Sequence, residues 1–314
     1  MEENPTRASP SYIPRSLRNM VKVVRTEYPQ RSGLIAINLA AIIFGTAALY
    51  GRLDIAPLWI VTMRGAFASV ALAGVGLLSG GLGLRPTIAQ LKRLLVTGIL
   101  LAIHWVTFFQ SVQLAGVAIA TLTFAVFPLF TVLLETMKAR RRPSLLELSA
   151  GVAIVAAVAL LVDTKDSDAT LTGTIVGLGS ALAFAVFGIE AQILPTEITP
   201  LMVSLIQNLV VSLSLTPLLA VSSPAPKTTT DWLCLLLLGV VTTAFMHQLY
   251  LFALKRLSAT TCSGFIALEP VYAIVFAAVF FGEPLTLWVV VSAVLIIGAS
   301  VVLLRAERVT VVLD

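Results

Sequence analysis

Five side chains in this sequence carry chemistry where their neighbours carry none. Arg64, His104, Gln207, Asn208 and Glu269 each interrupt a long apolar run. The clearest case is SGFIALEPVYAIVFAAVFFGEPLT, residues 263–286, where Glu269 is followed at once by Pro270. A guanidinium, an imidazole, two amides and a carboxylate can bind a charged solute or pass a proton. They include no nucleophile with an adjacent base. The chain has no HExxH, GxSxG or Walker A sequence, and two histidines are too few for a metal cluster, so neither an enzyme nor a metal site is expected.

The apolar runs fix how deep these groups lie. Helix rises about 1.5 Å per residue, and the hydrocarbon core of a bilayer is about 30 Å thick. Counted from the ends of their runs, Glu269 is about 15 Å deep, His104 about 16 Å, and Gln207 and Asn208 about 12–14 Å. Thr46 is about 20 Å from the inner face and Arg64 about 10 Å from the outer face. Charge at such depth costs about 2.5–3.5 kcal/mol on insertion scales, so these groups should face protein or water.

Glu269 is expected either to receive a substrate ammonium or coupling proton, or to make a structural hydrogen bond. His104 is a proton or substrate group, or a satisfied buried imidazole. Arg64 attracts a substrate carboxylate, snorkels outward or pairs with Asp54. Trp105, Phe108, Phe124, Phe127, Phe184, Phe187, Phe265 and Tyr272 lie at interior depths, and some of them are expected to form an apolar wall, foremost Phe108, one turn beyond His104, and Phe265. Pro128 and Pro270 each remove a helical hydrogen bond and are candidate hinges.

The elements that must position these groups are membrane helices. Of the 314 residues, 58% are hydrophobic and 12% charged, and the mean hydropathy is +0.98. A soluble domain carries about 25% charged residues. Ten spans are expected, with cores near 33–52, 57–79, 93–113, 116–137, 145–162, 172–193, 199–220, 231–254, 259–282 and 285–304. The third and fourth share one uncharged run, broken near Gln113–Gly116. Residues 1–32 form a basic, cytoplasmic segment that fits a short amphipathic surface helix or a disordered tail, with no signal peptide. Residues 305–314 form the other tail. With the N-terminus inside, 17 of the 21 Lys and Arg residues fall on the cytoplasmic side, a positive-inside bias that puts both termini in the cytoplasm. The net charge of +5 is therefore read as topology, not as a nucleic-acid footprint. Cys234 and Cys262 fall near opposite faces, too far apart to bridge.

Ten spans divide into halves, 33–163 and 172–304, that echo each other. LTFAVFPLFTVLLE (122–135) leads to Pro143, and GFIALEPVYAIVFAAVFFGE (264–283) leads to Pro284. Five helices per half is an odd number, so the second copy enters the membrane from the opposite side. Such inverted repeats build secondary transporters.

The stretch SGFIALEPVYAIVFAAVFFGEPLTLWVVVSAVLIIGASVVLL resembles the end of the EamA-type repeat of the drug/metabolite transporter superfamily. The marks are Glu-Pro in the fourth helix, Gly-Glu before the fifth and a last helix rich in small residues. The first half is similar but has Phe-Pro and Arg-Arg-Arg-Pro at the matching places. The whole chain is similar to the aromatic amino acid exporter branch.

The resemblance implies an all-α, ten-helix carrier without cofactor. Helices 1–4 and 6–9 would surround a cavity, and 5 and 10 would lie at the periphery. Val155 and Ile296, in those two, are then expected to face lipid or a partner. The expected function is export of amino acids or similar zwitterions across a bacterial-type inner membrane. Thr46, Arg64, His104, Phe108, Asn208, Phe265 and Glu269 would contact the substrate. The alternatives are a carrier of drugs or other metabolites and a non-transporting scaffold. A monomer is compatible with all of them.

Overall fold

The computed structural model describes residues 15–83, 85–161, 168–192, 198–254, 256–257, 265–266 and 268–311. All regular elements among them are helical. In chain order these are α1 (Arg15–Ala47), continued by a 3-10 turn (Ala48–Arg52), α2 (Pro57–Leu78), α3 (Ile88–Phe124), α4 (Phe127–Lys138), α5 (Leu145–Leu161) and α6 (Asp168–Gln192). They continue with α7 (Pro200–Leu215), extended by a 3-10 turn (Thr216–Val221), α8 (Thr229–Gly239), a π turn (Val240–Phe245), α9 (Met246–Leu254), α10 (Glu269–Phe281) and α11 (Leu287–Val311), the second half opening with α6.

Among the described residues, six helices are long and apolar enough to cross a membrane, Gln30–Arg52, Pro57–Leu78, Ile88–Phe124, Asp168–Ala191, Pro200–Val221 and Thr229–Tyr250. Three shorter apolar helices cover Leu145–Leu160, Glu269–Phe281 and Leu287–Val302. Leu77, Leu78, Val152 and Val155 stand exposed on these helices, Val155 by 63%. A water-soluble protein does not display such a belt. Cys234 is free and half-buried, and Cys262 lies outside the described residues. α1 runs unbroken through residue 32, so the basic N-terminal segment and the first apolar run share one helix from Arg15 onward.

The expected break near Gln113–Gly116 falls at Gly116, with φ 85° and ψ 170° inside α3. Only glycine adopts that conformation without strain. The break leaves backbone N–H groups of the following turn without helical acceptors. The carboxylate of Glu283 takes them up, accepting from Val117 N–H at 3.1 Å and Ala118 N–H at 3.3 Å. Arg52 stands 3.8 Å from the same carboxylate.

The two candidate hinge prolines sit at helix starts, not in helix interiors. Pro128 lies in the first turn of α4, after the turn residues Ala125 and Val126. Pro270 lies in the first turn of α10, after Leu268. Proline suits a first turn because its missing N–H has no partner to lose there. The chain therefore turns just before each proline, and Glu269 is the first residue of α10.

The packing pairs elements across the halves. α3 runs along α6, α2 crosses α7, α5 lies on α11, and α1 packs against α9 and α10. One apolar cluster joins Ile60, Phe109, Val112, Leu235 and Leu238. A second joins Leu122, Val132, Ile154, Ile274 and Ile296. Ile296 is fully buried there within the chain itself, whereas it was expected to face lipid or a partner. The reason is the α5–α11 contact, which covers one face of each helix. Ser292 Oγ donates to the Ala157 carbonyl at 2.8 Å across that seam.

Candidate functional site

A cavity of about 440 Å³ lies where α2, α3, α4, α6, α7, α9 and α10 converge. Its size falls in the range of small-molecule sites, roughly 300–1,000 Å³. Arg64, His104, Asn208 and Glu269 line it, with Gln207, His247, Pro128 and Pro270. Polar groups placed at one depth by the sequence thus meet in one space. Thr46, Phe108 and Phe265 do not line it. Thr46 donates its hydroxyl to the Ile43 carbonyl at 2.6 Å, Phe108 lies behind His104 at 6.1 Å between ring centres, and Phe265 packs in a separate cluster with Ala36, Ile37 and Ala253.

Of the eight interior aromatics, Trp105, Phe124, Phe127, Phe184 and Phe187 form the apolar wall. These rings interlock. Phe124 stacks on Phe127 at 5.4 Å, Phe184 on Phe187 at 5.5 Å, and Phe124 meets Phe184 edge-on at 5.2 Å. Offset and edge-on arrangements are those the ring quadrupoles favour.

His104 is tied to α6. Its Nδ1 is 2.8 Å from Ser180 Oγ and 3.3 Å from the Ser180 carbonyl, while Ser180 Oγ donates to the His104 carbonyl at 2.9 Å. A carbonyl only accepts, and the serine proton is already committed. Nδ1 therefore carries the ring proton, and neutral His104 has Nε2 as its acceptor. Phe124 and Phe184 hold the ring from two sides, each at 4.8 Å.

Arg64 neither snorkels nor pairs with Asp54. It is 3% exposed. Its Nε donates to Thr243 Oγ1 at 2.8 Å, and the guanidinium lies 3.8 Å from the centre of the Trp105 ring. Two close helix crossings place it. A Cβ on Gly65 would come within 2.9 Å of the Asn208 carbonyl, and one on Gly239 within 2.9 Å of the Arg64 carbonyl. Small residues at these crossings let α7 and α8 approach α2 directly. Arg64 and Glu269 interact electrostatically without direct ion-pair contact among the described residues.

The amides differ. Gln207 Nε2 donates to Thr97 Oγ1 at 3.0 Å, linking α7 to α3. Asn208 Nδ2 donates to the Ser204 carbonyl at 2.8 Å, but its Oδ1 is buried with no partner. An unsatisfied buried acceptor costs about 1–3 kcal/mol. On a cavity wall, a solute donor is the natural partner. The arrangement can thus hold an anionic group at Arg64, a donor at Asn208 or Glu269, and an apolar body on the rings.

Three contributors were not singled out from the sequence. Thr243 and Ser180 are ordinary hydroxyl residues in apolar runs, and only their partners reveal them. Ser300 of α11 lines the cavity and donates to the Ala125 carbonyl at 3.0 Å, so the last helix is not wholly peripheral.

Comparison with known proteins extends the reading. A solved crystal structure, titled only as that of a protein, is similar at TM-score 0.59 with 18% identity, over 89% of this chain and 99% of that one. At that identity the likeness is one of fold. No curated protein matches the sequence significantly. The model of the EamA-like transporter family matches twice, over residues 31–163 and 171–305. The chain therefore belongs to the EamA-like transporter family, within the drug/metabolite transporter superfamily of membrane transporters.

Proposed function

We propose that this transporter exports amino acids and similar amphipathic zwitterions, aromatic ones among them, through the central cavity by alternating access. One observation carries the reading. A single cavity offers a cation (Arg64), a carboxylate (Glu269), an unpaired acceptor (Asn208 Oδ1) and an aromatic wall. A zwitterion with an apolar side chain presents the complement of each. A purely hydrophobic drug would need the rings but not the buried charge.

The ten-span, inverted architecture is part of the proposal. If each span corresponds to the one five places later, α2 with α7 and α5 with α11 are self-paired. The α3/α4 contact with α6 then mirrors the α9/α10 contact with α1. All of these contacts occur. The charge distribution supports cytoplasmic termini and a bacterial-type inner membrane.

The test is transport by the purified chain in proteoliposomes loaded with radiolabelled L-phenylalanine, L-tryptophan or L-leucine. Saturable efflux above that of protein-free liposomes is expected. Release no faster than from protein-free liposomes for all three would overturn the amino acid reading.

A further inference from the structure

The Arg64 guanidinium is gripped by a local device that a regular helix could not supply. Between α8 and α9 the backbone widens into the π turn Val240–Phe245. Thr242 Oγ1 donates to the Leu238 carbonyl at 2.6 Å, and Thr243 Oγ1 donates to the same carbonyl, five residues back, at 2.8 Å. With its proton committed there, the Thr243 oxygen can only accept from Arg64 Nε. Single π turns recur at functional sites, where they redirect a side chain. The close approach at Gly239, immediately before the turn, brings this oxygen to Arg64.

Two parts of the guanidinium are thereby occupied, the Nε edge by Thr243 and one face by Trp105. What remains of the fork is its two Nη groups, and Arg64 lines the cavity. Two parallel N–H donors match the two oxygens of a carboxylate.

We propose that Thr243 is a positioning residue that fixes Arg64 as a two-pronged carboxylate receptor, and that the cavity selects solutes by their carboxylate before their ammonium. This rests on the carrier reading above and names the group that reading must recognise first. The ammonium side of the site offers the unpaired neutral acceptor Asn208 Oδ1, with Glu269 at the start of α10. The carboxylate side is a fixed cation.

The experiment measures equilibrium binding of tritiated 3-phenylpropionate to the full-length chain in detergent, with phenethylamine as competitor. Each probe keeps the ring and one charged end of phenylalanine. The wild-type chain is expected to bind 3-phenylpropionate at least tenfold more tightly than phenethylamine. Thr243→Val should weaken 3-phenylpropionate about tenfold, as loss of a hydrogen bond to a charged group implies. Thr243→Ser, which keeps the oxygen, should stay within about twofold of wild type. Equal or tighter binding of phenethylamine by the wild-type chain would overturn the proposal without any variant, and so would unchanged affinity in a folded Thr243→Val protein. Arg64→Lys covers the case in which Thr243→Val does not fold. It keeps the charge but loses the fork, and wild-type affinity there would also overturn the proposal. The outcomes separate from those of the carrier reading. Phenylalanine efflux with Thr243→Val indifferent sinks only this inference, whereas 3-phenylpropionate binding without amino acid efflux sinks only the amino acid reading.

Discussion

Glu283 caps the helix that restarts at Val117, from a position 166 residues later in the chain. The bond joins the end of α10 to the break in α3 and so ties the two halves together. A carboxylate at a helix start satisfies free N–H groups and meets the positive end of the helix dipole. Glu283→Ala is expected to lower stability by about 1–2 kcal/mol, and Glu283→Gln by less, because one acceptor oxygen remains. Midpoints of unfolding in detergent measure both. Equal stability of Glu283→Ala and wild type would show that the cap contributes nothing.

Gly177 and Gly298 occupy comparable interior positions in two helices but differ in surroundings. A Cβ at Gly177 would collide with Thr123 Oγ1 and lie 2.8 Å from Ser111 Oγ, whereas one at Gly298 meets nothing within 4 Å. Gly177→Ala should separate α6 from α3 and destabilise the fold by about 1–3 kcal/mol, as overpacking does. Gly298→Ala should be neutral or stabilising, since alanine is the better helix former. The same unfolding midpoints compare them, and a reversed order would contradict the α3–α6 packing.

Solvent access separates the cavity wall from the lipid face. In a chain with Cys234 and Cys262 replaced by serine, single cysteines at positions 187, 204 and 269 should react with a small water-soluble thiol reagent. Cysteines at positions 108 and 155 should not, because Phe108 packs behind His104 and Val155 faces outward from α5. Mass spectrometry of the labelled protein reads the result. Labelling at 155 but not at 204 or 269 would put the cavity between the wrong helices.

Glu269→Gln keeps the size and much of the hydrogen-bonding capacity of the side chain but removes its charge. Export of phenylalanine from proteoliposomes is expected to fall at least tenfold at equal protein insertion, about the effect of 1.4 kcal/mol. Rates matching wild type would leave Glu269 as a helix-start residue with no part in transport.

Ile296→Ala should cost about 2–5 kcal/mol, because the side chain fills the second apolar cluster without access to lipid. Val294→Ala, two residues earlier and 68% exposed, should change stability by about 0.5 kcal/mol or less. Unfolding midpoints of comparable size for the two variants would place α11 at the lipid boundary after all.

How much of this was legible in the sequence depends on the range of the interaction concerned. The helices and the break at Gly116 were readable, because hydropathy and glycine act within a few residues. The meeting of His104, Asn208 and Glu269 follows the depth argument, since polar groups at one height avoid lipid by meeting one another. Depth left Arg64 open between the cavity, the outer surface and Asp54, and it also pointed to Thr46, which stays outside the cavity. Ile296 was misread because nothing in its own helix names the helix that covers it. Phe108 was misread because sharing a helix face with His104 does not fix which of the two reaches open space. Glu269 was placed mid-helix because Pro270 marks an interruption but not whether the chain bends through it or starts afresh. Thr243 was invisible for a stronger reason. Its role depends on a wide turn that shifts its hydroxyl by one residue, and no local pattern encodes that shift.

Ile297 and Ser300 bring α11 to the cavity, and Ser300 is bonded to the turn that precedes α4. A helix in that position acts as a seal. A chain ending before Leu287 would keep Arg64, Trp105 and Glu269, yet one flank of their chamber would stand open to the bilayer. Acyl tails would then compete with solute for the aromatic rings, and the buried charges would meet hydrocarbon. The final helix thus decides whether the chamber is filled with water or with fat.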